Sequence, residues 1–171
     1  PPKAASMALA TAPAGTPLVG MVTRLTRQKG IDLLFEVLPP LLQERDFRFV
    51  ALGSGEAQYE RFMHELQRRF PGRVVFYSGY SEELAHFIEA AADIFLMPSL
   101  YEPCGLNQLY SLKYGTVPVV RRTGGLADSV QHFDPTTGQG TGIVFNDFDA
   151  GGLHWALQTA LDTGGASLLE G

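Results

Sequence analysis

The stretch Pro17-Leu-Val-Gly-Met-Val-Thr-Arg-Leu-Thr-Arg-Gln-Lys-Gly-Ile-Asp-Leu-Leu-Phe-Glu-Val-Leu38 decides the fold. Pro17 to Thr23 is a near-continuous apolar run of the length and composition of a buried strand. A basic loop ending in Gly30 follows. Ile31, Leu34, Phe35 and Leu38 then recur at helical spacing on one face of a helix predicted over 31–42. Pro39 and Pro40 remove two backbone donors, so this helix is expected to kink or end near Leu38.

The same strand–loop–helix unit repeats outward from that stretch. Phe47 to Leu52 reads as a second strand, and Glu56 to Phe70 as a helix burying Tyr59, Phe62, Met63 and Leu66. Arg73 to Tyr77 is a third strand. Ser81 is a good N-cap for a helix that turns Leu84, Phe87 and Ile88 inward. Asp93 to Met97 is a fourth strand, stopped by Pro98, and Gly105 to Tyr114 a helix capped by Gly115. Val117 to Val120 and Ile143 to Phe145 are further strands. Between them the sequence places a short helix to about His132 and a polar loop from Asp134 to Thr141. Leu153 to Leu161 closes the series as a helix with Leu153, Ala156, Leu157, Ala160 and Leu161 inward. Alternating strands and helices predict an α/β fold, a Rossmann-like doubly wound parallel sheet of about six strands covered on both faces. Ligands of such sheets bind where the strands end at their carboxyl edge.

The bulk numbers bound this reading. A chain of 171 residues holds one well-cored domain. The ordered domain is expected over 17–162, after an Ala/Pro/Thr-rich linker over 1–16 and before a cut-looking tail over 163–171, so that the chain reads as a fragment of a longer protein. A net charge of −5 without a long basic run argues against a nucleic-acid surface, though not against one small anion. A single cysteine, Cys104, excludes an internal disulfide and a multi-cysteine zinc site. No apolar run is long enough for a membrane helix.

Five constellations follow predicted strands. Arg24-Leu-Thr-Arg-Gln-Lys29-Gly30 brings cations suited to a diphosphate, or else is a solvated basic loop. Gly53-Ser54-Gly55 lets backbone amides approach an anion or nucleoside, or else only makes a tight turn. Gly79-Tyr80 offers an aromatic face to a base, or else packs on the rim. Glu102-Pro103-Cys104-Gly105-Leu106-Asn107 sets a carboxylate before a helix N-terminus whose amides suit a phosphate. Arg121-Arg122-Thr123-Gly124-Gly125 either reaches a ligand or pairs with acidic residues. Cys104 suits lining a ligand better than nucleophilic attack. His64, His86, His132 and His154 fall on predicted helices and read as surface or packing residues.

Taken together, Arg24-Leu-Thr-Arg-Gln-Lys-Gly, Glu102-Pro-Cys-Gly-Leu-Asn-Gln-Leu, Lys113-Tyr-Gly-Thr-Val-Pro and Arg121-Arg-Thr-Gly-Gly-Leu-Ala-Asp128 resemble bacterial glycogen synthases and plant starch synthases. The resemblance runs from about Pro17 to Leu161. It implies the C-terminal, nucleotide-sugar-binding lobe of a two-lobed GT-B glycosyltransferase. The implied reaction moves glucose from ADP-glucose to the non-reducing end of an α-1,4-glucan, with retention and no metal or other cofactor. By resemblance, Arg24 and Lys29 bind phosphate and Glu102 is the essential carboxylate near the glucose hydroxyls. Leu106 and Asn107, in the turn with Cys104 and Gly105, give backbone contacts to the diphosphate, and Tyr80 stacks on adenine. The position eight residues after Glu102, where many retaining relatives carry a second glutamate that meets the ribose, is Tyr110 here, as in glycogen synthases of this type. The implied partners are ADP-glucose or ADP, and an α-1,4-glucan met through an N-terminal lobe, with neither nucleic acid nor membrane. The implied location is cytoplasmic in a bacterium and plastidial in a plant.

Three other readings stay open on residues alone: a retaining glycosyltransferase using UDP-glucose or another donor, a non-catalytic nucleotide-sensing domain, and a dinucleotide-dependent oxidoreductase. The last is disfavoured because the first strand is not followed by the glycine fingerprint. Because the acceptor side of such enzymes lies on the other lobe, this chain alone is expected to bind nucleotide yet show essentially no glucosyl transfer. An assay with ADP-glucose and glycogen checks this, and turnover near that of a full-length synthase would overturn it.

Overall fold

The computed structural model describes residues 15–97, 117–121, 143–145 and 149–163. Within these, six strands form one parallel sheet: β1 Leu18–Val22, β2 Arg48–Gly53, β3 Val74–Ser78, β4 Ile94–Met97, β5 Val117–Arg121 and β6 Ile143–Phe145. Their order is β3-β2-β1-β4-β5-β6. The described helices are α1 Ile31–Glu44, α2 Ala57–Arg69, α3 Glu82–Ala91 and α4 Ala150–Thr163. This is the doubly wound arrangement expected from the alternating units, with the strand order reversing beside β1. The predicted helix over 105–114, the short helix to about His132 and the loop over 134–141 lie outside the described residues, as do most of the proposed linker and tail.

Each face of the sheet has its own core. On one side Val19, Met21, Phe49, Ala51, Ile94, Leu96, Val119 and Phe145 meet the buried stripes of α1, α2 and α4. On the other, Leu18, Val22, Val50, Leu52, Phe95 and Met97 meet Leu84, Ala85 and Ile88 of α3. Alternate strand residues feed opposite faces, as the two-residue period of a strand requires. Right-handed crossovers explain the division. The chain steps from β1 to β3 with α1 and α2 on one face, then returns to β4 through α3 on the other. The five inward residues expected on α4 are all buried.

Three features depart from the sequence-based expectations. First, α1 does not end at Leu38 but runs through Pro39 and Pro40 to Glu44. Leu41 and Leu42 prolong its buried stripe, and their burial offsets the donors the two prolines remove. Second, Phe87 is exposed rather than inward. The stripe of α3 runs through Leu84, Ala85, Ile88 and Ala92, and at 3.6 residues per turn Phe87 falls roughly 110° from its centre. Third, α4 begins at Ala150 rather than Leu153, because the Asp149 side chain accepts a hydrogen bond from the Gly152 amide at 2.7 Å and so caps it. The Ser81 cap is as expected, with its hydroxyl accepting from the Leu84 amide at 3.2 Å.

One contact closes β4 onto β1, and another seats α3 on the sheet. Asp93 closes the start of β4 onto β1, accepting from the Leu18 amide at 2.9 Å while its own amide donates to the Leu18 carbonyl at 2.9 Å. Gly20, in the middle of β1, lets α3 seat directly on the strand. A Cβ there would lie 2.7 Å from Ile88 Cγ2 and 3.0 Å from Ala92 Cβ. Gly20→Ala is therefore expected to cost about 1–3 kcal/mol through overpacking and to lower the melting temperature by roughly 3–10 °C. Thermal unfolding followed by circular dichroism measures this, and a wild-type melting temperature would mean that α3 does not depend on that close approach.

Candidate active site

The basic loop after β1 is held by backbone pairing that continues past the sheet. The Thr23 amide donates to the Leu52 carbonyl at 3.1 Å and the Leu25 amide to the Ser54 carbonyl at 2.9 Å. The Glu56 amide donates back to the Leu25 carbonyl at 3.0 Å. This close run explains the glycines of Gly53-Ser54-Gly55. A Cβ on Gly53 would lie 2.0 Å from the Thr23 carbonyl oxygen, and one on Gly55 2.3 Å from that of Leu25. Their small size serves backbone against backbone. Leu25 is fully buried in the core shared with α1 and α2. By strand alternation its neighbour Arg24 is turned to the opposite side, where α3 lies.

A cleft of about 260 Å³ opens there, at the carboxyl ends of β1 and β2 and beyond β3. Val22, Leu52 and Ala85 give it an apolar floor. Arg24, Ser54 and Tyr80 stand at its sides, as do Glu82, His86 and Glu89 of α3. Tyr80 is 73% exposed and follows Gly79, which takes a positive φ of 134° and whose amide donates to the Gly53 carbonyl at 3.0 Å.

The cleft thus brings together Arg24, Gly53, Ser54 and Tyr80 of the residues singled out in the sequence. Gly55 packs on Leu25 instead. Lys29 lies on a single 3-10 turn, Arg27–Lys29, ended by Gly30 in the left-handed conformation at φ 80°, and does not line the cleft. Arg121 closes β5, whose partner β4 ends at Met97. Glu102, Cys104, Gly105, Leu106 and Asn107 lie outside the described residues, as does Arg122. Of the histidines, His64 packs edge-on against Phe76 at 4.9 Å and His154 sits on α4, in keeping with packing or surface roles. His132 lies outside the described residues. His86 is a correction: it lines the cleft, since α3 starts at the carboxyl edge and carries its first turns beside the ligand side of the sheet. Glu82 and Glu89 were also missed. Their spacing with His86, four and then three residues, was the available signal.

Electrostatics set these carboxyls apart. Glu89 is only 3% exposed. Burial pushes its carboxyl above the usual range, partly opposed by the nearby His86. His86 Nε2 also stands 3.8 Å from Glu82 Oε1. Glu60 on α2 behaves oppositely. The Ser78 hydroxyl donates to one of its oxygens and the Gly55 amide to the other at 3.4 Å. These bonds, Ser78 first, hold its carboxyl below the usual range. Glu60 so ties the turn after β2 to the end of β3, one residue before Gly79. Among the described residues no three of His, Cys, Asp and Glu gather as a metal site would require, and no helix is long and apolar enough to cross a membrane.

Fold and cleft define a Rossmann-like domain with a cleft of apolar floor and polar sides at the carboxyl edge of its sheet. Residues 5–167 match the model of the glycosyl transferases group 1 family, and the chain belongs to that family. Glycogen synthase of Bacillus cereus is 48% identical over 147 residues, covering 86% of this chain and 31% of that protein. Glycogen synthase of Hydrogenovibrio crunogenus is 54% identical over 137 residues, covering 78% and 28%. Among solved structures, the catalytic domain of starch synthase IV from Arabidopsis thaliana, bound to ADP and acarbose, superposes with a TM-score of 0.82 at 36% identity, over 94% of this chain and 34% of that one. Sucrose-phosphate synthase from Thermosynechococcus elongatus gives 0.72 at 27% identity, over 96% and 41%. The chain spans about a third of the length of the curated relatives it matches. The expected GT-B type of lobe and the glycosyltransferase class hold, and the oxidoreductase reading falls.

Glu60 offers a test of how the loops are tied. A carboxyl whose folded pKa is depressed adds stability that is full above its unfolded pKa and is lost as the pH falls through the folded value. Glu60→Gln is expected to melt a few degrees below wild type at pH 7, with the gap closing as the pH drops below about 4. Melting curves from pH 7 to pH 3 check this, and a gap independent of pH would show that the charge plays no part.

Proposed function

We propose that this chain is the donor-binding domain of a glycogen synthase, transferring glucose from ADP-glucose to the non-reducing end of an α-1,4-glucan with retention. The observation that carries the reading is the placement of Arg24, Ser54 and the exposed Tyr80 around one cleft at the carboxyl edge, in a chain of the group 1 glycosyltransferases. The identity to bacterial glycogen synthases supports the acceptor and the reaction. The ADP bound to the Arabidopsis starch synthase domain supports the donor base.

The chemistry follows from charge. As the bond from the anomeric carbon to the diphosphate breaks, the leaving group keeps the electron pair, and negative charge grows on its oxygens. Arg24 and Lys29 neutralise that charge, together with the backbone amides of Leu106 and Asn107 in the turn with Cys104 and Gly105, in the role a metal ion has elsewhere. Glu102 holds the glucose hydroxyls and stabilises the positive charge developing on the sugar ring, rather than acting as an acid or base alone. Tyr80 gives the adenine a flat surface. The glucan enters through the other lobe of the full-length enzyme, which works in the cytoplasm.

Arg24→Ala is expected to weaken ADP binding by about 10- to 100-fold, the loss of one charge-assisted contact, and Lys29→Ala to do so by a smaller factor in this open chain. Calorimetry with ADP, UDP and GDP reads both this loss and the preference among donors. Equal affinity of wild type and Arg24→Ala for ADP would overturn the assignment of the cleft, and a preference for UDP would move the donor to UDP-glucose.

A further inference from the structure

The cleft has one wall that the phosphate contacts do not use. Glu82, His86 and Glu89 recur on one face of α3 and all line the cleft. Glu89 is the most buried of the three, and its place is fixed: its neighbours Ile88 and Ala92 are the groups that seat on Gly20 of β1. The sides of the cleft thus differ in sign, with the Arg24 guanidinium on the loop after β1 and two carboxyls on α3. A diphosphate is drawn to the first and repelled by the second. A nucleoside diphosphate therefore enters one way round, phosphates toward Arg24 and base toward α3. Tyr80, just before the Ser81 cap of α3, presents its ring beside the same wall.

We infer that Glu89 determines the choice of base, its carboxylate oxygen accepting a hydrogen bond from the exocyclic amine of adenine. An ionised carboxyl has acceptors only, so it matches an amine and opposes a carbonyl oxygen at the same position. Uracil and hypoxanthine both offer a carbonyl oxygen in place of an amine, and the mismatch leaves two acceptors face to face in a partly desolvated cleft. The inference rests on the nucleotide reading of the cleft.

The test compares ADP with inosine diphosphate, which replaces the amine by a carbonyl oxygen, by calorimetry on this chain. Wild type is expected to bind ADP at least about tenfold more tightly. In Glu89→Met, which keeps the bulk and removes the acceptors, the ratio is expected to fall to within about twofold of one, with affinity for inosine diphosphate no weaker than in wild type. Glu89→Gln keeps one acceptor oxygen and is expected to show an intermediate ratio. It also stands as the deciding variant if Glu89→Met does not fold. A wild-type ratio retained in the folded variant overturns the inference, as does a wild-type ratio near one. A loss that appears equally with 2′-deoxy-ADP and inosine diphosphate also overturns it, because the carboxylate then meets the ribose. A wild-type chain that binds neither nucleotide overturns the reading of the cleft itself, so the two failures are distinguishable.

Discussion

The backbone pairing that runs on past the ends of β1 and β2 is the constraint on which the cleft depends. Three amide–carbonyl bonds, from Thr23 to Leu52, Leu25 to Ser54 and Glu56 to Leu25, carry the ladder beyond the sheet into the loops. They demand positions without side chains at Gly53 and Gly55. In return they give an otherwise irregular loop the two-residue alternation of a strand. Leu25 is driven into one core, and Arg24 is turned to the other side. The same hydrogen bonds that stabilise the sheet thereby set the side of the loop from which this exposed cation projects.

The second determinant is the seating of α3. The first two crossover helices occupy one face, so the return from β3 to β4 must use the other, and α3 stands over the carboxyl ends of β1 and β2. Gly20 sets how close it comes. The polar face of a helix in that position cannot be neutral toward a ligand. Its first turns flank the cleft, and whatever they carry becomes part of the wall. Glu60 acts at longer range, joining the turn after β2 to Ser78 and so to the strand end that carries Tyr80.

Much of this was readable in the sequence. The strands are apolar runs bounded by Gly, Pro and polar residues, and all six lie where the pattern puts them, with boundaries shifted by one residue or so. The cations of the first loop stand out because Arg24, Arg27 and Lys29 fall within six residues. What was not readable depended on geometry between segments. Pro39 and Pro40 signal a break by local rules, and only the core waiting for Leu41 and Leu42 shows why the helix continues. Phe87 satisfies an i+3 spacing from Leu84, yet the stripe actually buried is centred toward Ala85 and Ala92. The glycines at 53 and 55 invite a ligand-based reading, whereas the atoms nearest to them belong to the backbone of the neighbouring loop.

The same distinction explains why the basic loop is legible in the sequence and the acidic wall is not. A binding loop is a short continuous string, and its residue types announce it. A wall made by one face of a helix is discontinuous, and Glu82, His86 and Glu89 are interrupted by Leu84, Ala85 and Ile88, which serve the core. Taken singly, each is an ordinary polar residue on an amphipathic helix. Their meaning comes from the sheet beneath, because α3 starts at the carboxyl edge and carries these residues beside the cleft there. The cation is fixed by backbone pairing and the acids by helix packing, so the polarity of the cleft arises from two independent structural causes. Moving either one would leave a cleft of similar size that no longer orients a dipolar ligand.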